Sequence, residues 1–97
     1  MTLYLKAPQA RVDYRIDWGA RHLGPWLITD SVWRVEPAPQ NAAENGLTVA
    51  AHAHDGRVTS VTVTGGEAGH IYDLINRITL SNGEIDERAV SFRVEAR

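Results

Sequence analysis

The chain has 97 residues, 43% of them hydrophobic, and a net charge of −2, so we expect a single globular domain over residues 1–97. The numbers of basic and acidic residues, 10 and 12, are nearly equal, so the chain lacks the positive charge that binding to nucleic acid or an anionic membrane requires. The absence of cysteine excludes disulfides, thiolate zinc sites and cysteine nucleophiles, and favours folding in a reducing cytoplasm.

Apolar and polar residues alternate in short runs, and no segment keeps a 3.6-residue period, which indicates strands rather than helices. In the clearest run, residues 11–18, the side chains of Val12, Tyr14, Ile16 and Trp18 share one face. The predicted strands are, in chain order, residues 3–5, 11–18, 27–36, 47–54, 57–64, 70–80 and a last strand that carries Val90, Phe92, Val94 and Ala96 inward.

Turn residues separate these runs. Asp55-Gly56 and Asn82-Gly83 are strong signals for two-residue hairpin turns. Residues 37–46 are polar and proline-rich and form the longest connection. Because Val58 and Val61 fall on opposite faces of a regular strand, a β-bulge is expected between them.

About seven short strands bounded by turns predict an all-β fold, an Ig-like antiparallel β-sandwich. Trp33 occupies the middle of the third strand, where such sandwiches often bury a tryptophan, and Tyr72 stands where a tyrosine corner belongs. Asn76 falls on the inward face of the sixth strand, so we expect its amide to bond the backbone near one end of the sandwich. The predicted structural core comprises Tyr14, Trp18, Trp33, Tyr72, Asn76 and Phe92.

Residues able to support chemistry are few and scattered. His52 and His54 lie two apart on one strand, with Asp55 adjacent, and a solvated strand face explains them better than a metal site. The glycines of residues 65–69 lack the Lys-Ser/Thr of a phosphate loop, and no Gly-x-Ser-x-Gly motif occurs. We therefore predict no enzyme activity, catalytic residue, cofactor or metal. A buried pocket joining Asn76, His70 and a carboxylate would reverse this prediction.

Tryptophans at the ends of predicted strands are the main candidates for a binding surface. Trp26, beside Gly24-Pro25, is either a lid over the end of the sandwich or an interface anchor. Together with Pro37 and Pro39 of the long connection, it forms the predicted interface. An exposed pair of Trp18 and Trp26 could instead stack on sugar, which keeps a host-surface or glycan-binding module as the alternative function.

Several blocks of the sequence resemble the fiber–tail adaptor proteins of tailed bacteriophages and prophages. The resemblance runs from about residue 6 to residue 97, and its order and spacing are more specific than any single block. The sequence departs from the family pattern in the loops at residues 19–26 and 37–45. The blocks are residues 12–18 (VDYRIDW), 31–35 (SVWRV), 65–72 (GGEAGHIY), 76–79 (NRIT), 82–83 (NG) and 86–88 (DER).

The resemblance implies an Ig-like sandwich with a structural role in the phage tail and no catalytic residues. It implies other tail or virion proteins as partners, with a homo-oligomer possible in the particle, and assembly in the bacterial host cytoplasm before the chain joins the virion tail. The sequence adds that residues 1–8 lack signal-peptide features. No apolar run approaches the roughly 18–20 residues of a transmembrane helix, so neither membrane nor nucleic acid is an expected partner.

Overall fold

The computed structural model describes residues 3–20, 24–36 and 46–95. Within them the chain forms seven strands and one short 3₁₀ helix. The strands are β1 (Leu3–Lys6), β2 (Val12–Asp17), β3 (Ile28–Glu36), β4 (Leu47–His54), β5 (Val58–Gly65), β6 (Ile71–Leu80) and β7 (Ile85–Val94), and the 3₁₀ helix spans Trp18–Ala20. No helix in this part of the chain is long and apolar enough to cross a membrane.

The strands form two sheets, one of four strands in the order β1-β7-β6-β3 and one of three in the order β2-β5-β4. Taking β2 to β7 as strands B to G, these are the B-E-D and C-F-G groupings of an immunoglobulin constant-type sandwich. The all-β sandwich predicted from alternation is thus confirmed. One detail of the prediction is wrong, because β1 pairs with β7 in parallel and the sandwich is not wholly antiparallel.

The core lies between the sheets, and the inward positions of β6 and β7 supply much of it. Phe92 is 1% exposed, and its ring lies 6.3 Å from that of Tyr14, which is half-buried. Alternation identified these inward faces correctly. The buried residues of β6 and β7 that were predicted to point inward are Tyr72, Leu74, Asn76, Ile78, Leu80, Val90, Phe92 and Val94.

The bulge predicted between Val58 and Val61 does not form, and a bulge occurs instead on the neighbouring strand β4. β5 is regular, with Val58 half-buried and Val61 buried on the opposite face. The irregularity occurs in β4, between Val49 and Ala51. Because an extra residue reverses which side chains point inward, the alternation predicted for β4 holds only up to Val49.

Both predicted hairpins form, but the two-residue turns were misplaced: the first turn is displaced by one residue, and the second has three residues, 81–83. The Asp55 N–H donates to the Val58 carbonyl at 3.0 Å, so the first turn has Gly56 and Arg57 at its tip. In the second turn, the Leu80 N–H donates to the Glu84 carbonyl at 2.8 Å. These two turns lie at the same end of the sandwich as the segment that leads into β3, and both form backbone hydrogen bonds with that segment.

Candidate interaction surface

A fully buried hydrogen-bond cluster lies between the sheets around Asn76, which is 0% exposed. Its amide nitrogen donates to Ser31 Oγ at 2.9 Å and to the Val32 carbonyl at 3.1 Å. Its amide oxygen accepts from Thr59 Oγ1 at 2.6 Å and from Trp18 Nε1 at 3.1 Å. An asparagine amide has two donor hydrogens and two acceptor positions. All four form hydrogen bonds here.

The position of Asn76 corrects part of the sequence prediction. The amide does bond backbone, at Val32, but it lies at the middle of β6 rather than near an end of the sandwich. His70, by contrast, lies outside the core, with its Nδ1 3.6 Å from the carboxylate of Glu67 and its side chain 58% exposed. The structure therefore does not combine Asn76 and His70 in one pocket.

Trp18 is only 2% exposed, which overturns the suggestion that it stacks on sugar. β2 ends at Asp17, and Trp18 begins the 3₁₀ helix. That turn directs the indole into the core, where its nitrogen contacts Thr59 and Asn76. The guanidinium of Arg88 lies 5.9 Å from the ring, at the distance of a cation–π contact.

Trp33, which the sequence placed in the core, is only half-buried, because β3 is the edge strand of its sheet. The core contains two groups of buried apolar residues, one around Phe92 and the other around Ile78, and the ring of Trp33 packs against both. Its buried Nε1 has no hydrogen-bond partner among the described residues. Trp33 therefore fills space between the sheets, whereas Trp18 takes part in the polar cluster.

Tyr72 closes the turn between β5 and β6. Its side chain is 4% exposed, and its hydroxyl accepts a hydrogen bond of 3.0 Å from the backbone N–H of Glu67, five residues upstream. This is the geometry of a tyrosine corner. Gly66 has a φ of +98°, and a Cβ there would lie 2.7 Å from Val94, so this turn requires a glycine at that position.

Lys6 is a buried residue that sequence reasoning missed, since a lysine beside two leucines gives no signal of burial. It is 2% exposed. Its ammonium donates to the Gly65 carbonyl at 2.7 Å and to the Ala7 carbonyl at 2.9 Å. Burial lowers the pKa of this amine below its ordinary value of 10.5. Lys6 thereby ties β1 to the end of β5.

His52 and His54 are both exposed. The described residues contain no group of three or more histidine, cysteine, aspartate or glutamate side chains placed to hold a metal ion. Asp55 instead organises the hairpin turn, because its carboxylate accepts from the backbone N–H groups of Arg57 and Val58 at 2.7 Å each. These bonds lower the pKa of Asp55 below its ordinary value of 3.8.

Trp26 lies at the end of the sandwich and is 43% exposed. The backbone that follows it is held by hydrogen bonds to the two hairpin turns. The Leu27 N–H donates to Ser81 Oγ at 3.1 Å, and the Leu27 carbonyl accepts from the Ser81 N–H at 2.8 Å. The Ile28 N–H donates to the Gly56 carbonyl at 2.9 Å. A firmly held segment thus presents an aromatic side chain to solvent.

The other two predicted interface residues, Pro37 and Pro39, lie outside the described residues. Of the predicted interface, only Trp26 therefore has a described position. A surface tryptophan on a fixed backbone loses little conformational freedom when it binds a protein partner. This surface is suited to binding and offers no arrangement for catalysis among the residues described.

A known protein family matches most of the chain. The model of the family described as podophage GP4 fiber-tail adaptor protein gp77 matches residues 6–93. The matched stretch begins at the last residue of β1 and ends one residue before β7 does, so it takes in the two sheets of the sandwich. No curated protein matches the chain.

Proposed function

The chain belongs to the podophage GP4 fiber-tail adaptor family, and from that premise we propose that it is a non-enzymatic module joining a fiber protein to the phage tail. The observation that carries the proposal is the extent of the family match, which covers the sandwich rather than one strand or loop. Membership of an adaptor family indicates a place in the virion tail and contact with other tail proteins.

Finer features of the role are also part of the proposal. The chain folds and assembles in the bacterial host cytoplasm, and it binds other tail proteins, with a homo-oligomer possible in the particle. Its net charge of −2 supports contact with protein rather than with nucleic acid or an anionic membrane. The end of the sandwich at Trp26 supports a protein interface, because it is exposed, aromatic and held by hydrogen bonds.

Deletion of the gene from the phage or prophage that encodes it tests this role. We expect mass spectrometry to find the protein in purified wild-type particles, and electron microscopy to show that mutant particles have tails without fibers. Adding the purified chain to mutant particles should restore fibers and infectivity. Wild-type particles that lack the protein, or mutant particles with normal fibers, would show that the proposal is wrong.

A further inference from the structure

Three of the four edge strands of the sandwich carry features that discourage pairing with another strand. Charged side chains, bulges and short length all protect a sheet edge. β1 is only four residues long, and β3 has an irregularity between Ile28 and Asp30. The charged residues are Asp13, Arg15 and Asp17 on β2, and Asp30, Arg34 and Glu36 on β3.

β4 is the exception. Its eight residues, Leu47–His54, include no aspartate, glutamate, lysine, arginine or proline. Beyond its bulge, the last four residues run in unbroken register along β5, from Ala51 opposite Thr62 to His54 opposite Thr59. On its other side β4 pairs with no strand of the described chain. Beyond the bulge, its outer backbone N–H and C=O groups therefore form a regular ladder that has no partner strand among the described residues.

The second half of β4 is also uncovered on its core side. Directly paired residues of antiparallel strands point to the same face. His52 pairs with Val61, which is 2% exposed, and His54 pairs with Thr59, which is 0% exposed. Both histidines nevertheless are exposed, whereas Leu47, at the start of the strand, is buried. The opposite sheet therefore covers the beginning of β4 and leaves its end open.

The side chains on the outer face of residues 51–54 and of the β5 residues paired with them are short. Ala51 lies opposite Thr62, and Ala53 lies opposite Ser60. These short side chains line a depression on the surface. A strand added beside β4 would meet no carboxylate, ammonium or guanidinium group of β4 itself, and Arg15 and Asp55 lie beside Ala53 and His54 at the end of the strand. It would have space for large side chains over the alanines. Along β2 or β3 the same strand would meet carboxylates at alternate positions.

We infer that residues 51–54 of β4 accept an extended strand from the tail protein that the adaptor holds, which adds a fourth strand to the three-stranded sheet. The inference rests on the proposed function for the existence of such a partner. The backbone ladder selects an extended segment. Because β4 carries no aspartate, glutamate, lysine or arginine, it favours a segment whose side chains beside it are apolar or small polar.

Lysine substitutions at the edge test the inference, because a charged side chain there opposes strand addition. The double variant A51K/A53K changes two exposed residues on the outer face of β4. The matched control, L3K/L5K, changes two exposed residues on the outer face of edge strand β1. Both add the same charge, and circular dichroism and urea unfolding would verify that both variants fold.

Each purified protein is added to particles that lack the adaptor, and the bound amount is measured after sedimentation. We expect A51K/A53K to bind about tenfold less than wild type, and L3K/L5K to bind within about twofold. Wild-type binding by A51K/A53K, or an equal loss in L3K/L5K, would overturn the inference and leave the adaptor role intact. Failure of the wild-type chain to bind would reject that role as well.

A second copy of the chain is the competing occupant of this edge. Analytical ultracentrifugation of the purified chain at micromolar concentration separates the two cases. We expect a monomer for wild type and for A51K/A53K. A wild-type dimer that A51K/A53K converts to monomer would assign the edge to self-association and overturn the inference.

Discussion

The indole nitrogen of Trp18 donates a hydrogen bond of 3.1 Å to the side-chain oxygen of Asn76 across the interior of the sandwich. Trp18 follows β2 in the three-stranded sheet, and Asn76 lies at the middle of β6 in the four-stranded sheet. If either residue were lost, the indole nitrogen of Trp18 or the side-chain oxygen of Asn76 would keep only its bond to Thr59. Since buried polar groups without partners are costly, the bond favours one alignment of the two sheets.

Replacing Asn76 with leucine should destabilise the fold. Leucine leaves Ser31 Oγ, Thr59 Oγ1 and the Val32 carbonyl without their amide partner. An orphaned buried polar group costs about 1–3 kcal/mol, so we expect a loss of about 3 kcal/mol in the free energy of unfolding, measured by urea denaturation. Arg77→Leu, on the exposed face of the same strand, should change it by less than about 0.5 kcal/mol. A loss below about 1 kcal/mol in Asn76→Leu would contradict the role of the cluster.

The two buried indole nitrogens should respond differently to replacement by phenylalanine. Trp18→Phe removes a donor that contacts Thr59 and Asn76, and we expect it to cost about 2 kcal/mol through lost bonding and packing. Trp33→Phe removes an N–H that has no hydrogen-bond partner in the described part of the chain, so it should cost less than about 1 kcal/mol. Urea denaturation of both variants gives the comparison. Equal losses would show that the polar contacts of Trp18 contribute nothing beyond packing.

Tyr72→Phe tests the tyrosine corner. The variant leaves the backbone N–H of Glu67 without the hydroxyl that accepts its hydrogen bond, and we expect a loss of about 1–2 kcal/mol. In a domain of this size that lowers Tm by roughly 4–16 °C, which calorimetry can measure. Glu67→Ala keeps the backbone donor and changes only an exposed side chain, so its Tm should stay close to wild type. A larger effect in Glu67→Ala would assign the stability to the side chain.

Alternation and turn residues were sufficient to predict the sandwich and its inward faces because β6 and β7 are regular and covered on one side by the opposite sheet. The alternation of β4 was misassigned after Val49, since a bulge leaves no distinct mark in a run of alanine and histidine. The burial of Lys6 depends on the carbonyl of Gly65, 59 residues away at the end of β5. The parallel pairing of β1 is likewise set by tertiary contacts that no local pattern encodes.

The prediction of binding residues was limited in the same way, because their exposure depends on tertiary structure. Alternation assigned Trp18 to the core, but its position beside the same loop as Trp26 left open that the two form an exposed pair. The structure separates them: the 3₁₀ helix directs Trp18 inward, and hydrogen bonds to Ser81 hold the segment of Trp26 at the surface. The uncharged edge of β4 is readable in the sequence, but its significance depends on a strand order that leaves it unpaired.

Protonation of two exposed carboxylates should lower the free energy of unfolding in acid. Hydrogen bonds from the backbone of Arg57 and Val58 lower the pKa of Asp55 below 3.8, and the Arg34 guanidinium lowers the pKa of Glu87 below 4.5. Because the unfolded chain binds protons more readily at both sites, their contribution is present above about pH 4.5 and is lost as the pH falls through the folded pKa values.

The variant D55N/E87Q should reduce this pH dependence. Asparagine retains an oxygen that can accept the turn hydrogen bonds at every pH. Urea midpoints at pH 6 and pH 3 should differ less in the variant than in wild type. High salt should weaken the contribution of the exposed Arg34–Glu87 pair. Identical pH dependence in the two proteins would exclude these carboxylates as its source.

Trp26→Ala should separate binding from folding. Trp26 is 43% exposed, and its neighbours are fixed by backbone bonds that the substitution leaves in place. We therefore expect the free energy of unfolding to change by less than about 1 kcal/mol. Removing an aromatic anchor from an interface often costs about 2 kcal/mol or more in binding, so sedimentation with adaptor-less particles should show a marked loss. Trp26→Phe keeps an aromatic ring and should recover part of the binding. If Trp26→Ala binds as wild type does, the contacts of the adaptor lie elsewhere, and the edge of β4 becomes the stronger candidate.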